Sequence, residues 1–259
     1  MTILKKITEY KKLEVAARMQ AFPLSVLKQS TLFARDCFSM AKSVAEGSGI
    51  IAEHKRRSPS KSVINENILV PEVVKGYEKA GVSAISVLTD TKFFGGSLDD
   101  LLVARACVNI PLLRKEFIID PYQIYEAKAY GADAILLIAA CLEAGELQEY
   151  SALAKELGMD VLLEIHNEEE LKKSLHPTVD LLGVNNRNLK TFEVSLDASK
   201  ALSKLIPDSY VKVSESGIST IEAIQELKPY GYKGFLIGER FMKTEDPGKS
   251  AMEFIKALQ

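Results

Sequence analysis

Short apolar segments recur eight times along the chain, and an amphipathic stretch with helical periodicity follows each of them. Nearly continuous apolar strands are typical of a parallel sheet whose faces are covered by helices. Eight strand–helix units, spaced about 21 to 34 residues apart, are most simply accommodated by an α/β fold closed into a (β/α)₈ TIM barrel. An open doubly wound sheet is the structural alternative. The predicted strands lie at residues 50–55, 84–90, 111–117, 134–140, 160–166, 181–186, 211–216 and 234–239.

The length of the chain suits one barrel, because 259 residues with 47% hydrophobic composition can bury a large core. We therefore expect a single domain over residues 1–259. Residues 1–47 precede the first strand and carry a helical pattern that the eightfold plan does not use. They are predicted to form an N-terminal helical extension. Periodicity leaves open whether this extension plugs the bottom of the barrel or covers its top.

Charge and targeting features exclude several classes of protein. Lys and Arg number 33 against 35 Asp and Glu, for a net charge of -2, so neither nucleic acid nor an anionic membrane is expected as a partner. The first twenty residues contain no uninterrupted apolar run, which predicts no signal peptide and a cytoplasmic location. Cys37, Cys107 and Cys141 lack CxxC spacing and are expected to be buried thiols in a reducing compartment. The three histidines form no HxH or HExxH motif, so no metal is expected.

Charged residues stand at the ends of several predicted strands, where TIM barrels carry their reactive groups. They are Glu53 and Lys55 at strand 1, Lys115 at strand 3, Glu164 at strand 5 and Glu215 at strand 7. Side chains alternate along a strand, so these residues share a face with apolar neighbours that would fill the lumen. Convergence of amino and carboxyl groups in a restricted site is how a side chain is tuned for proton transfer. A set of rim salt bridges is the alternative explanation.

The loops after strands 7 and 8 are the usual phosphate site of this fold. Here they contain Ser216 with Gly217, and Gly238 with Glu239. Glycine lets the backbone approach an oxyanion closely, and serine adds a hydroxyl donor. The carboxylate of Glu239 would repel a phosphate, so we expect it to contribute its N–H with the side chain turned away or paired. The sequence therefore predicts a small phosphorylated substrate.

Other polar and aromatic residues flank the same mouth. Asn185 and Arg187 follow strand 6 and could orient substrate oxygens, although loop capping is an alternative explanation. Phe94 and Phe117 offer flat apolar surfaces against which an aromatic substrate could stack, with core filling as the competing explanation. The polar loop after strand 1 is typical of a mobile lid that closes over an anion, with an ordinary solvated loop as the alternative explanation.

Seven ordered motifs, taken together, resemble the indole-3-glycerol-phosphate synthase family, from about residue 3 to the C-terminus. The resemblance implies decarboxylating ring closure of 1-(2-carboxyphenylamino)-1-deoxyribulose 5-phosphate to indole-3-glycerol phosphate, CO₂ and water in tryptophan biosynthesis, without a cofactor. It also implies that the N-terminal extension is a helical cap that helps to close the site. The motifs are IIAEHKRRSPS, SVLTDTKFFGGSLDDL, LLRKEFIIDPYQIYEA, LLEIHNEEEL, GVNNRNLKTFEV, VSESGIS and FLIGERFM.

The resemblance also implies a role for each matching residue. Lys115 corresponds to the general acid that protonates the ribulose carbonyl. Lys55 and Glu53 would bind the substrate carboxylate and share proton transfers during dehydration, and Glu164 would hold or deprotonate the intermediate. The matching polar positions are Asn185, Glu215 and Ser216, and Arg187 with Leu189 would line the anthranilate side. The implied phosphate site comprises Lys55, Ser58, Ser216, Gly217, Gly238 and the Glu239 backbone.

One departure from the family pattern and several alternatives stay open in the sequence. Ser62 stands where the family pattern leads us to expect a glycine, which puts the flexibility of the lid in doubt. A rival reaction on the same fold is an aldolase in which Lys115 or Lys55 forms a Schiff base. Phosphoribosylanthranilate isomerase fits the Glu53 and Lys55 pair poorly, and a catalytically silent barrel is a further alternative. The sequence does not determine the oligomeric state, for which a monomer is favoured.

Overall fold

A computed structural model describes residues 2–59, 61–188 and 191–258 of the chain. Parallel strands pair in chain order, and the last closes on the first to form an eight-stranded barrel. This arrangement confirms the predicted TIM barrel and excludes the open sheet. Each strand ends one or two residues before its predicted end, because the last residues of each predicted segment leave the ladder and enter the loops. The strands are β1 (Ile50–His54), β2 (Ala84–Leu88), β3 (Leu112–Lys115), β4 (Ala134–Ile138), β5 (Asp160–Ile165), β6 (Leu181–Asn185), β7 (Val211–Glu215) and β8 (Tyr232–Ile237).

Helices connect the strands and cover the outside of the barrel. Several begin at a side-chain cap, as at Ser97, whose hydroxyl accepts from the amide of Asp100 at the start of its helix. The helices are α1 (Ile3–Ala21), α2 (Leu24–Leu27), α3 (Met40–Glu46), α4 (Val70–Ala80), α5 (Thr91–Phe94), α6 (Leu98–Cys107), α7 (Tyr122–Ala129), α8 (Ala144–Glu156), α9 (Glu168–Ser174), α10 (Asp197–Ser203), α11 (Ile221–Leu227), α12 (Glu239–Met242) and α13 (Pro247–Leu258).

The lower part of the lumen is filled by apolar side chains from the strands. Ile51, Leu113, Leu162 and Val213 belong to one buried cluster inside the barrel. They come from β1, β3, β5 and β7, so they form a layer contributed by alternate strands, as this fold requires. Burial of each such side chain contributes about 1.5–3 kcal/mol. The charged residues at the strand ends lie directly above this apolar layer.

The N-terminal extension both plugs the bottom of the barrel and covers part of its top. These are the two placements that the sequence left open. Helix α3 lies at the bottom of the barrel, where Met40 and Val44 are buried against the lumen cluster. Its start is fixed by Asp160, the first residue of β5, which accepts hydrogen bonds from the Ser39 hydroxyl and the Ala41 amide. Helix α3 therefore plugs the barrel from below.

Helix α1 lies at the opposite end. Its Lys11 pairs with Asp90, two residues after β2, and with Glu116, directly after β3, at the carboxyl end of the strands. Leu4, near the start of α1, lines the cavity at that end. The segment between α1 and α3 runs down the side of the barrel, where Arg35 pairs with Asp133 at 2.6 Å just before β4 begins. The first helix thus covers part of the top.

The cysteines are unpaired, but they are half-buried rather than buried. The prediction of buried thiols was wrong in this respect, because Cys37 lies in the loop before α3, Cys107 ends α6 and Cys141 lies in the turn after β4. Of the three, Cys141 packs against the apolar cluster inside the barrel. In the ranges that the structure describes, no helix has the length and apolar character needed to cross a membrane.

Candidate active site

Four charged side chains form a second layer above the apolar one. They are Glu53, Lys115, Glu164 and Glu215, from β1, β3, β5 and β7, respectively. Each stands two residues beyond an apolar lumen residue of the same strand, so the period of two turns it inward as well. The three carboxylates are nearly inaccessible to solvent. The barrel therefore brings together charges that are separated by more than a hundred residues in the sequence.

The charges in this layer are paired. Lys115 Nζ contacts a carboxylate oxygen of Glu215 and lies 3.4 Å from Oε2 of Glu164. Lys55, which directly follows β1, lies 2.6 Å from Oε1 of Glu53 through its Nζ. Buried charges are tolerated when such pairing offsets the loss of hydration. Three carboxylates thus share two ammonium groups, and at least one carboxylate is incompletely neutralised.

The pairing shifts the pKa values of two groups in opposite directions. Burial lowers the pKa of Lys115, but Glu215, Glu164 and Glu53 raise it above its ordinary value. Burial likewise raises the pKa of Glu53, but Lys55 and Lys115 bring it below its ordinary value. Both groups are therefore charged at neutral pH, and Lys115 holds a proton that it can donate.

Glu215 is buried beside two other carboxylates, and only one of its oxygens is paired among the residues that the structure describes. Burial raises its pKa to about 7, although Lys115 opposes that shift. Its Oε2 contacts Lys115, while Oε1 is buried without a hydrogen-bond partner within the described part of the chain. The side chain fits because residue 183 on β6 is glycine, whose missing Cβ would lie 2.3 Å from Oε1. Glu215 is therefore poised to exchange a proton near neutral pH.

The raised pKa of Glu215 predicts how stability depends on pH. Between the ordinary glutamate value of 4.5 and about 7, the folded protein holds this proton more often than the unfolded chain does. Stability due to Glu215 is present below pH 4.5 and is lost as the pH rises through 7. We expect Glu215→Gln, which cannot ionise, to gain melting temperature relative to the parent between pH 5 and pH 8. A melting-temperature difference that is constant across that range contradicts the assignment.

An open cavity of about 380 Å³ lies above the charged layer. One wall is apolar and aromatic. The ring centroids of Phe94 and Phe117 lie 5.9 Å apart, and Leu136 and Ile138 of β4 also line the cavity. A flat aromatic group can pack against such a wall. The cavity is large enough for a small metabolite and has the mixed apolar and polar lining that such sites share.

The opposite wall is built from the loops after β7 and β8. Ser216 and Gly217 both have positive φ values, 65° and 76°, which turn the chain sharply as it leaves β7. Gly238 and the first residue of α12, Glu239, face the same space. The Glu239 carboxylate is paired with Lys61 Nζ at 2.5 Å. This wall combines glycine backbone and hydroxyl donors, the groups that commonly bind phosphate.

Most of the residues singled out in the sequence line this one cavity. The structure brings together Glu53, Lys55, Phe94, Lys115, Phe117, Glu164, Arg187, Glu215, Ser216, Gly217, Gly238 and Glu239. Two others lie outside its lining. Ser58 forms a tight turn with Lys61, and the side-chain oxygen of Asn185 accepts from the Arg187 amide at 3.0 Å. Leu189 lies outside the described residues.

Several residues of the cavity lining were missed in the sequence, among them Leu4, Glu116, Arg240 and Lys243. Arg240 and Lys243 follow β8 and add positive charge beside Gly238. Their position just after the predicted phosphate loop could have identified them from the sequence. Leu4 could not be assigned, because the sequence left the placement of α1 open. Within the described ranges, no cluster of three His, Cys, Asp or Glu side chains could hold a metal ion, and a reaction without metal or cofactor stays a prediction.

Comparison with known proteins gives a consistent result. Residues 4–254 match a family model described as indole-3-glycerol phosphate synthase. A protein of that name from Bacteroides thetaiotaomicron is 48% identical and covers 99% of both chains. A second, from Polynucleobacter asymbioticus, is 45% identical over 97% of this chain and 98% of its own length. Among solved structures, 3-hexulose-6-phosphate synthase from Salmonella typhimurium has a TM-score of 0.64 and 14% identity, covering 81% of this chain and 98% of that one. This last likeness concerns the fold alone.

Proposed function

The chain belongs to the indole-3-glycerol phosphate synthase family, and we propose that the charged layer and the loops above it carry out the ring closure of that family. The reaction converts 1-(2-carboxyphenylamino)-1-deoxyribulose 5-phosphate to indole-3-glycerol phosphate, CO₂ and water. The observation that carries the residue assignment is the position of Lys115: its ammonium is held by Glu164 and Glu215 between an aromatic wall and a phosphate-type wall.

The orientation of the substrate follows from the two walls. We place the anthranilate ring against Phe94 and Phe117, with Arg187 near its edge, and the phosphate at the amides of Gly217 and Gly238. This arrangement sets the ribulose carbonyl above the charged layer. On the family resemblance alone, we also assign Leu189 to the residues that bind the anthranilate. Lys55 would reach the substrate carboxylate as a mobile point charge.

Ring closure joins the carboxyl-bearing ring carbon to the ribulose carbonyl carbon. The carbonyl oxygen gains negative charge as the new bond forms, and Lys115 donates a proton to it, giving a hydroxyl. The ring is left as a cationic imine. Its carboxylate then leaves as CO₂, and the electrons of the broken bond return to the ring.

Dehydration completes the indole. The new hydroxyl leaves as water after it accepts a proton, which we assign to Lys55 with Glu53 as its paired carboxylate. Loss of a ring proton to Glu164 then restores aromaticity. Glu215, with a pKa of about 7, can return a proton to Lys115 between turnovers.

The aldolase alternative is not favoured by this geometry. A lysine that forms a Schiff base must lose its proton to become a nucleophile. Lys115 is held by carboxylates that raise its pKa above the ordinary value, so the charged form is stabilised. An acid, not a nucleophile, is the role that suits it.

We also propose that the protein works as a monomer in the cytoplasm. The cavity residues span one chain from Leu4 in α1 to Lys243 after β8, which supports a site built by a single copy. The unpaired cysteines suit a reducing compartment.

Turnover of labelled substrate tests the proposal. The substrate carries ¹³C in its carboxylate, and the purified protein is assayed in a chelator for indole fluorescence and labelled CO₂. We expect one labelled CO₂ for each indole formed, with no loss of activity in the chelator. Borohydride added during turnover should leave the protein unmodified. A borohydride-trapped adduct on Lys115 or Lys55, or indole fluorescence without labelled CO₂, contradicts the proposal.

A further inference from the structure

Helix α1 carries a lysine on its buried face. The residues of α1 that face the barrel are Ile7, Lys11 and Val15, spaced four apart, as on one side of a helix. The side chain of Lys11 is 0% exposed. A charged group in an apolar stripe is costly unless it is paired. We propose that Lys11 is a positioning residue that fixes the strand end carrying Lys115 and the aromatic wall of the cavity; this inference rests on the function proposed above.

The partners of Lys11 come from two strand ends. Lys11 Nζ lies 2.9 Å from Oδ2 of Asp90, after β2, and 3.1 Å from Oε1 of Glu116, after β3. A third carboxylate, of Glu14, lies 3.0 Å away on the next turn of α1. Burial lowers the pKa of Lys11, but these carboxylates raise it above the ordinary value. One ammonium thus ties the N-terminal helix to two loops of the catalytic face.

Glu116 connects this ion cluster to the acid. It directly follows Lys115, so alternation turns it away from the lumen while Lys115 points into it. Besides Lys11, the Glu116 carboxylate accepts from the Thr89 hydroxyl at 2.8 Å and from the Phe117 amide at 2.9 Å. The backbone on both sides of Glu116 therefore has little freedom to rotate. That backbone carries the proposed acid on one side and a wall aromatic on the other.

Asp90 connects the cluster to the other half of the wall. Its Oδ1 accepts from the amides of Phe93 and Phe94, capping the short helix α5. Phe94 in turn contacts Phe117 across the cavity mouth. Because Oδ2 of the same carboxylate faces Lys11, the position of the cap depends on the docking of α1.

The Lys11 cluster is one tether between α1 and β3. A second tether binds β3 on the N-terminal side of Lys115. Arg114 donates to Oε2 of Glu126 at 2.8 Å, and Arg18 of α1 donates to Oε1 of the same carboxylate at 2.5 Å. Helix α1 is thus bonded directly to Glu116, immediately after Lys115, and through Glu126 to Arg114, immediately before it. The arrangement couples the docking of the helix to the placement of the acid, where a displacement of about 1 Å can reduce the rate about 100-fold.

The test compares Lys11→Met with Lys12→Met, a matched change at the adjacent exposed lysine. For Lys11→Met we expect kcat to fall about 10- to 100-fold, measured per folded molecule at a temperature where circular dichroism shows the native spectrum. Lys12→Met should stay within about twofold of the parent. The substitution Arg18→Met, at a half-buried position, should lower kcat by a smaller factor, because it breaks only the second tether.

Lower stability alone reduces the folded fraction without changing kcat of the molecules that remain folded. Parent-like kcat in folded Lys11→Met overturns the inference, and so does parent-like kcat in Arg18→Met if Lys11→Met does not fold. Failure of the proposed function is a distinct result, because the parent and Lys12→Met would then form no indole.

Discussion

Replacing Lys115 with methionine should lower kcat for indole formation by about 10²- to 10⁴-fold, the usual contribution of a positioned proton donor. Methionine retains most of the volume of the side chain but supplies no proton when charge develops on the carbonyl oxygen. A loss of 10³-fold corresponds to about 4 kcal/mol of transition-state stabilisation. Indole fluorescence under saturating substrate measures the effect.

The same change leaves Glu53, Glu164 and Glu215 with one ammonium fewer, so stability must be followed separately. Removing one partner of a buried pair costs about 3–5 kcal/mol, and the assay must run below the melting temperature of the variant. Lys233→Met is the control, since Lys233 is exposed on β8 and should retain parental kcat. A folded Lys115→Met variant with kcat within tenfold of the parent would remove this residue from the mechanism.

Gly238→Ala should reduce kcat/KM by about 100-fold or more, although it adds a single methyl group. A Cβ at Gly238 would lie 2.6 Å from Oε1 of Glu53, the atom that pairs with Lys55. The φ at Gly238, -115°, lies outside the left-handed region that favours glycine, so we attribute the effect to the collision. Glu53 must move, and its pairing with Lys55 changes as a result.

Gly145→Ala provides the matched control for that experiment. Gly145 lies in α8, and a Cβ there meets nothing within 4 Å, so activity should be unchanged and the helix slightly more stable. Steady-state kinetics of both variants separate the two outcomes. Equal activity of Gly238→Ala and Gly145→Ala would show that the close approach of Gly238 to Glu53 has no catalytic consequence.

The sequence was sufficient to predict the barrel and the inward face of its strands. Alternation along β1 and β3 placed Glu53 and Lys115 beside apolar lumen residues, and the closed sheet then determines that they meet. The partner of each charge was not predictable, because it depends on the radius of the barrel and on side-chain rotamers. The space that Gly183 leaves for Glu215 was not predictable for the same reason. The two residues lie on different strands.

Local turns explain the residues that do not line the cavity. Polar residues near strand ends were assigned to the site because TIM barrels carry their reactive groups there. Asn and Ser side chains, however, also bond to neighbouring backbone. Asn185 and Ser58 do so here, with Arg187 and Lys61 as their respective partners. Lys11 illustrates the opposite case. Its spacing from Ile7 and Val15 was visible in the sequence, but its buried role depends on carboxylates more than seventy residues away.

The central claim is that one cavity holds the phosphate at the β7 and β8 loops and the ring at the aromatic wall, with Lys115 between them. A crystal structure with indole-3-glycerol phosphate bound tests it most directly. We expect phosphate oxygens about 2.7–3.2 Å from the amides of Gly217 and of Gly238 or Glu239, and the indole against Phe94 and Phe117. A phosphate bound at the aromatic wall, or a product bound outside this cavity, would contradict the account.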